Sequence, residues 1–167
     1  FRNYGTLGDF VRALEQMVKE ESEPEARVPV LFKMAELQLE MGGQEDKARR
    51  ALEGVLEIQP TNVDAAERLL PLYASLEKWE ELVRCQELIL TYKSDLSDED
   101  KLHLLLEKSA VHETNLGQVD EAFFTYVEAY RLAWDQADIR QELGRLAGES
   151  DNWSTYVEEL IDKLEKI

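Results

Sequence analysis

Apolar residues recur three and four positions apart along almost the whole chain, and short polar breaks separate the runs. From Leu7 to Glu20 the positions Phe10, Val11, Ala13, Leu14, Met17 and Val18 keep helical spacing. Leu31, Met34, Ala35 and Leu39 do the same across Val28 to Met41. "EESEPEAR", "GGQED", "QPTN" and "KSDLSDEDK" interrupt the pattern, as does Gly117. Gly42 and Gly43 suit a helix C-terminus, Pro60 ends a helix, and Thr61 or Asn62 can cap the next. Ser97, with Asp100 three residues later, reads as a helix-start capping pair. Pro71 falls inside a helical run, where it removes one backbone hydrogen bond and bends the axis. The pattern predicts about eight helices and no strand. They group as hairpins at 28–60, 63–92, 102–134 and 137–166, preceded by a helix at 7–21, all in one segment over 1–167. Short connections make neighbours antiparallel.

The pattern also repeats. "GDFVRAL" (8–14), "EKWEELV" (77–83) and "DNWSTYV" (151–157) each put an aromatic at the same point, with apolar residues three and four positions on. Aligning Phe10, Glu45, Trp79, Val119 and Trp153 gives steps of 35, 34, 40 and 34 residues, the long step matching an insertion around 93–100. A period near 34 residues is that of a helix–turn–helix repeat. A longer period is sharper: Gly43 recurs as Gly117, Ala48 as Ala122, Leu69 as Leu143, Leu72 as Leu146 and Trp79 as Trp153, every step being 74. The unit is a duplicated pair of hairpins. The recurring aromatic is expected to fill the space between stacked hairpins.

Charge narrows the partners. Thirty-six acidic against nineteen basic residues leave a net charge of −17. Polyanionic nucleic acid and anionic membrane surfaces need clustered Lys and Arg, which the chain lacks. No apolar run approaches the roughly 18 residues of a membrane span. A protein or peptide partner, basic or helical, suits the acidic field. The single cysteine, Cys85, lies among apolar neighbours and reads as a packed thiol; with no disulfide to form and no signal peptide in "FRNYGTLGDF", the cytoplasm is the default location. Phe1 in place of Met predicts a piece of a longer protein.

Candidate chemistry changes the picture little. The carboxylate pairs Glu20–Glu21, Glu80–Glu81 and Glu158–Glu159 have the spacing of solvated helix faces. His103 and His112, nine residues apart on one helix, stand about 14 Å apart and cannot share a metal. "DLSDEDKLHLLL" fails as a calcium loop, with Asp100 where glycine is needed and Leu106 where the closing Glu is needed. No HExxH, CxxC, GxSxG or Gly-rich phosphate loop occurs. The expectation is a non-catalytic chain with no cofactor and no metal. Phe123, Phe124, Tyr126 and Tyr130 have helical spacing and read as core, with a partner-facing aromatic patch as the second reading.

The repeat length and these positions resemble the tetratricopeptide repeat family in degenerate form, over nearly the whole chain. The chain looks similar to a fragment of a larger bacterial protein of that kind. Family hairpins put small residues where two helices cross. Candidates are Met34–Ala35, Leu69–Leu70, Lys108–Ser109 and Leu143–Gly144 in the first helices, facing Ala48, Leu82, Ala122 and Tyr156 in the second. Gly43 and Gly117 match the turn glycine; Glu77 and Asp151 replace it, and Leu82 and Tyr156 are large where the family is small. The resemblance implies an all-α, right-handed superhelical solenoid of antiparallel hairpins that binds a partner in its concave groove. The first helices would line that groove with Lys33, Glu36 and Glu40, then Asp64, Glu67 and Arg68, then His103, Glu107 and Glu113, then Gln141, Glu142 and Arg145. A structural or self-assembling segment of a longer repeat protein is the alternative. Val157, Leu160, Ile161 and Leu164 form an apolar face that would be partly uncovered in the last helix.

Overall fold

Side-chain capping bonds fix where two helices of this chain begin, after Asn62 and after Ser97. The computed structural model describes residues 4–167, the burial of Tyr4 and Gly5 excepted. Phe1, and with it the expectation of a longer protein, lies outside the described residues, as do the first three residues of the opening used to judge targeting. The helices are α1 (Tyr4–Glu20), α2 (Pro24–Met41), α3 (Glu45–Ile58), α4 (Val63–Ser75), α5 (Trp79–Tyr92), α6 (Asp98–Thr114), α7 (Val119–Leu132), α8 (Ala137–Ser150) and α9 (Trp153–Glu165). Nine helices stand among the described residues, one more than the count of about eight: the four hairpins supply eight, and the helix expected before them is the ninth.

Several helices start earlier than the apolar period suggests. Pro24 occupies the first turn of α2, where its missing N–H costs nothing, so most of the expected polar break is helical. Ser97 caps α6: its Oγ accepts from the Asp100 N–H at 3.1 Å and donates to the Asp100 carboxylate at 2.7 Å. Asp98, Glu99 and Asp100 form the first turn, where carboxylates complement the helix dipole. Asn62 caps α4, its Oδ1 accepting from the Ala65 N–H at 2.9 Å. Pro71 remains inside α4.

The helices form two compact units, Phe1–Tyr92 with α1 to α5 and Lys93–Ile167 with α6 to α9. Within each, every helix packs against the next as sequential antiparallel pairs. The hairpin turns share one backbone device. Gly43 (φ 65°), Glu77 (φ 55°), Gly117 (φ 65°) and Asp151 (φ 57°) are all left-handed. They stand 34, 40 and 34 residues apart, the steps of the repeat. After two of them the chain reaches back five residues, the Lys78 N–H donating to the Tyr73 carbonyl at 2.8 Å and the Asn152 N–H to the Ala147 carbonyl at 3.0 Å. That closure satisfies the orphaned carbonyls of a helix end.

The core follows the 74-residue period. Ala48 and Ala122 are fully buried, as are Leu69 and Leu143, and Leu72 and Leu146 are buried with them. Around α7 and α8 the core is Ala122, Phe123, Val127, Tyr130, Leu143 and Leu146, with Leu102, Tyr156 and Leu160 packed against it. Two of the four expected crossings show the contact that the resemblance implies. In the α6–α7 hairpin the buried Ser109 hydroxyl donates to the Ala122 carbonyl at 2.8 Å. In the α8–α9 hairpin the large Tyr156 is accommodated by Gly144, where a Cβ would stand 3.1 Å from the Tyr156 hydroxyl.

The recurring aromatic does not do what the pattern suggests. Phe10 is 58% exposed and Trp153 51% exposed; only Trp79 of the three is half-buried. Trp153 lies over Gly148, close enough that a Cβ there would meet it at 3.1 Å, and sits edge-on to Tyr156. Phe124 is exposed as well, edge-on to the buried Phe123, so the aromatic cluster on α7 is core at Phe123 and Tyr130 and surface at Phe124.

Candidate functional site

The groove residues read from the sequence lie on the first helix of each hairpin. In the unit Phe1–Tyr92, Lys33, Glu36 and Glu40 are exposed along one side of α2, and Asp64 and Arg68 are exposed on α4 beside the half-buried Glu67. Lys33 Nζ bonds Glu36 at 2.9 Å, and Arg68 Nε bonds Asp64 at 3.0 Å. The two helices meet through Arg68, whose guanidinium lies 5.0 Å from the centre of the Phe32 ring on α2. The Glu36 carboxyl is held below its usual range, first by the Lys33 hydrogen bond and charge and then by Arg68. Lys33, Glu36, Asp64 and Arg68 thus form one mixed-charge patch. Phe32 is the member that the charge pattern could not reveal.

In the unit Lys93–Ile167 the corresponding residues behave differently. Arg145 on α8 forks onto Glu113 of α6 with two bonds of 2.8 Å, and also binds Glu142 and, at 2.9 Å, Glu149. Its guanidinium is held still more firmly protonated by these carboxylates, Glu142 foremost. Glu113 in turn is held below the usual carboxylate range by the Arg145 hydrogen bond. A fork of this geometry is among the stronger pairings a protein makes. Arg145 is therefore an internal tie between α6 and α8, with its donors engaged. His103 and Glu107 pair with each other at 3.2 Å, and six residues of helix, about 9 Å, separate Glu107 from Glu113. Gln141 is exposed on α8.

Groups outside these faces are structural. Burial, foremost, pushes the Cys85 thiol up to about 12, so it is an inert packed thiol at neutral pH. The buried His112 ring bonds Gln118 at 2.8 Å. Arg49 ties Asp46 (2.7 Å) and Glu53 (2.6 Å) along α3, and Glu53 accepts from the buried Tyr73 hydroxyl of α4 at 2.8 Å. Sequence spacing shows the first two partners and cannot show Tyr73. Among the described residues no His, Cys, Asp and Glu gather as a metal-binding group, and no helix is long and apolar enough to cross a membrane.

The folded backbone resembles known repeat proteins. A candidate kinesin light chain of Podosopora anserina with nearly identical TPR-like repeats matches 95% of this chain and 85% of its own, at 21% identity and a TM-score of 0.53. The protein MamA matches 96% of this chain and 92% of its own, at 17% identity and a TM-score of 0.51. The fold is TPR-like. No protein-family model matches the sequence, and no curated protein matches it. At these identities a TPR-like likeness speaks for the backbone arrangement and leaves the partner open.

Proposed function

We propose that this TPR-like chain is a non-catalytic protein-interaction module that binds a basic or helical peptide of a partner protein. The observation that carries the reading is the mixed, mostly acidic face on the first helices of a TPR-like repeat. In one unit it comprises Lys33, Glu36, Glu40, Asp64, Glu67 and Arg68; in the other, His103, Glu107 and Gln141 beside the Glu113–Arg145 tie. Extended helical repeats use such faces for peptide recognition, and a net charge of −17 steers a cationic segment toward them. Arg145 is a poor probe of this face, because reversing its charge breaks a tie between helices. Glu36 and Glu107, exposed and each paired within its own helix, report on the face itself.

The test is titration calorimetry of a Lys-rich amphipathic helical peptide against the wild-type chain and against Glu36→Gln and Glu107→Gln. The variant in the unit that holds the peptide is expected to weaken binding several-fold, and its salt dependence to flatten. Equal affinity of all three proteins refutes the acidic face as the binding surface. A second reading, a structural or self-assembling segment, is favoured by α9, where Val157, Ile161 and Leu164 are 48%, 48% and 67% exposed. A mass in solution that rises with concentration supports it; a strict monomer removes it.

A further inference from the structure

The unit Lys93–Ile167 carries a cleft of about 250 Å³ where the end of α7, the start of α8 and the end of α9 come together. Tyr130, Trp134, Leu160, Leu164 and Ile167 supply apolar walls, and its charged side chains are Arg140 and Lys163, both cations. This is unusual in a chain with almost two acidic residues for every basic one. The hydrogen bonds these cations make are long ones to backbone carbonyls, Arg140 to Trp134 at 3.4 Å and Lys163 to Arg131 at 3.5 Å. Of the neighbouring carboxylates of α9, Asp162 bonds Lys166 at 2.7 Å and also feels the Lys163 charge, and Glu159 bonds Arg131 at 3.1 Å, so the two carboxylates are shared among Arg131, Lys163 and Lys166.

The repeat shows that the cations are a departure. Seventy-four residues earlier, the matching positions hold Ala66 and Ile89, both buried. In place of those closed, apolar positions the later hairpin has two half-buried cations beside an open apolar hollow.

A hydrocarbon ligand would cover the walls and desolvate both cations, Arg140 with only a backbone carbonyl bonded to it and Lys163 with only the Asp162 charge that Lys166 already shares. A basic ligand would meet like charge. A bare carboxylate would pair the cations and leave Trp134 and Leu164 wet. A ligand with carboxylates next to apolar side chains satisfies both, gaining charge-assisted hydrogen bonds in a partly water-excluded site.

We propose that this cleft is a docking site for an acidic amphipathic peptide segment of a partner protein, its carboxylates held by Arg140 and Lys163 and its apolar side chains seated on Trp134 and Leu164. The site is separate from the acidic first-helix faces and opposite to them in charge preference, so the two readings succeed or fail independently.

The test is fluorescence polarisation with a Leu- and Glu-rich amphipathic peptide and the same peptide with every Glu replaced by Lys. It uses the whole chain and Arg140→Glu/Lys163→Glu, with far-UV circular dichroism to check helix content. The Glu peptide is expected to bind the wild type and to lose at least about tenfold in affinity to the double variant, while the Lys peptide binds the variant more tightly than the wild type. The overall charge of −17 works against the Glu peptide, so its binding cannot come from the bulk field. Should the double variant lose helix, Arg140→Gln and Lys163→Gln singly must each weaken the Glu peptide. The proposal is overturned if the wild type does not bind the Glu peptide, or if the folded variants bind it unchanged. It is also overturned if sedimentation shows a dimer that Ile161→Asp dissolves and that blocks the peptide, which makes a second copy the occupant.

Discussion

The four left-handed hairpin turns allow a stability prediction with its sign fixed by backbone geometry alone. Gly117 has φ 65° and nothing within 4 Å of where a Cβ would stand, so Gly117→Ala brings no clash. What remains is the cost of putting a Cβ in the left-handed region, about 1–2 kcal/mol. Alanine's narrower unfolded ensemble offsets about 0.4–1 kcal/mol of it. The net expectation is a loss of about 1 kcal/mol. Glu77 is the same experiment already performed by the sequence: it carries φ 55° with an exposed side chain. Glu77→Gly therefore reverses the sign and stabilises by about 0.5–1 kcal/mol. Asp151→Gly, at φ 57°, gains less, because Asp tolerates this conformation better than Glu. Urea unfolding followed by circular dichroism and tryptophan fluorescence reads each change as a midpoint shift at constant slope. In a scan, 1 kcal/mol moves Tm by about 2–4 °C for a chain of this size. Glu77 is read on the transition of the first unit and the other two on that of the second, should the two not coincide. A neutral Gly117→Ala, or a Glu77→Gly that destabilises, would refute the reasoning, since no side-chain contact is available to explain either.

Three further outcomes follow from named contacts. Ser109→Ala removes the buried bond to the Ala122 carbonyl and is expected to cost about 1 kcal/mol in the same urea assay, with Ser109→Thr failing to restore it for lack of room at the crossing. Gly144→Ala pushes a Cβ to 3.1 Å from the Tyr156 hydroxyl; Tyr156→Phe removes that nearest atom, so a double-mutant cycle should show the pair less destabilised than the sum of the singles. The Glu113 carboxyl has a folded pKa below its unfolded one, so its tie to Arg145 stabilises fully above the unfolded value, about 4.3, and fades as pH falls through the folded value. The gap in urea midpoint between wild type and Glu113→Gln should accordingly be present near about pH 6 and shrink toward about pH 3.

Most of the fold was legible because its signals are local and repeated. Apolar spacing marks a helix wherever packing needs one face, and the 74-residue period pairs Ala48 with Ala122 and Leu69 with Leu143, all fully buried. Even the departures at Glu77 and Asp151 were legible as turn positions, since the period required a left-handed residue there whatever its side chain. The helix start at Pro24 was missed because a proline in a polar stretch leaves no mark on the apolar period, whereas the Ser97–Asp100 pair marked the start of α6. The exposure of Phe10 and Trp153 was missed for another reason: a period says that positions are equivalent and cannot say whether a neighbour lies against them.

The candidate faces divide along the same line. Lys33–Glu36, Arg68–Asp64 and His103–Glu107 are pairs within one helix, at i,i+3 or i,i+4, and sequence spacing predicts them. The contacts that decide what each arginine can do cross between helices. Arg68 over Phe32 leaves a charged, open patch, whereas Arg145 on Glu113 is consumed in joining α6 to α8. The same holds for the cleft. Arg140 and Lys163 lie 23 residues apart on different helices and look in sequence like two more solvated cations. Only the hairpin packing puts them around one apolar hollow. In a repeat protein the period specifies the scaffold, and the proposed cleft lies at positions that break it: Arg140 where the repeat has Ala66, and Lys163 where it has Ile89.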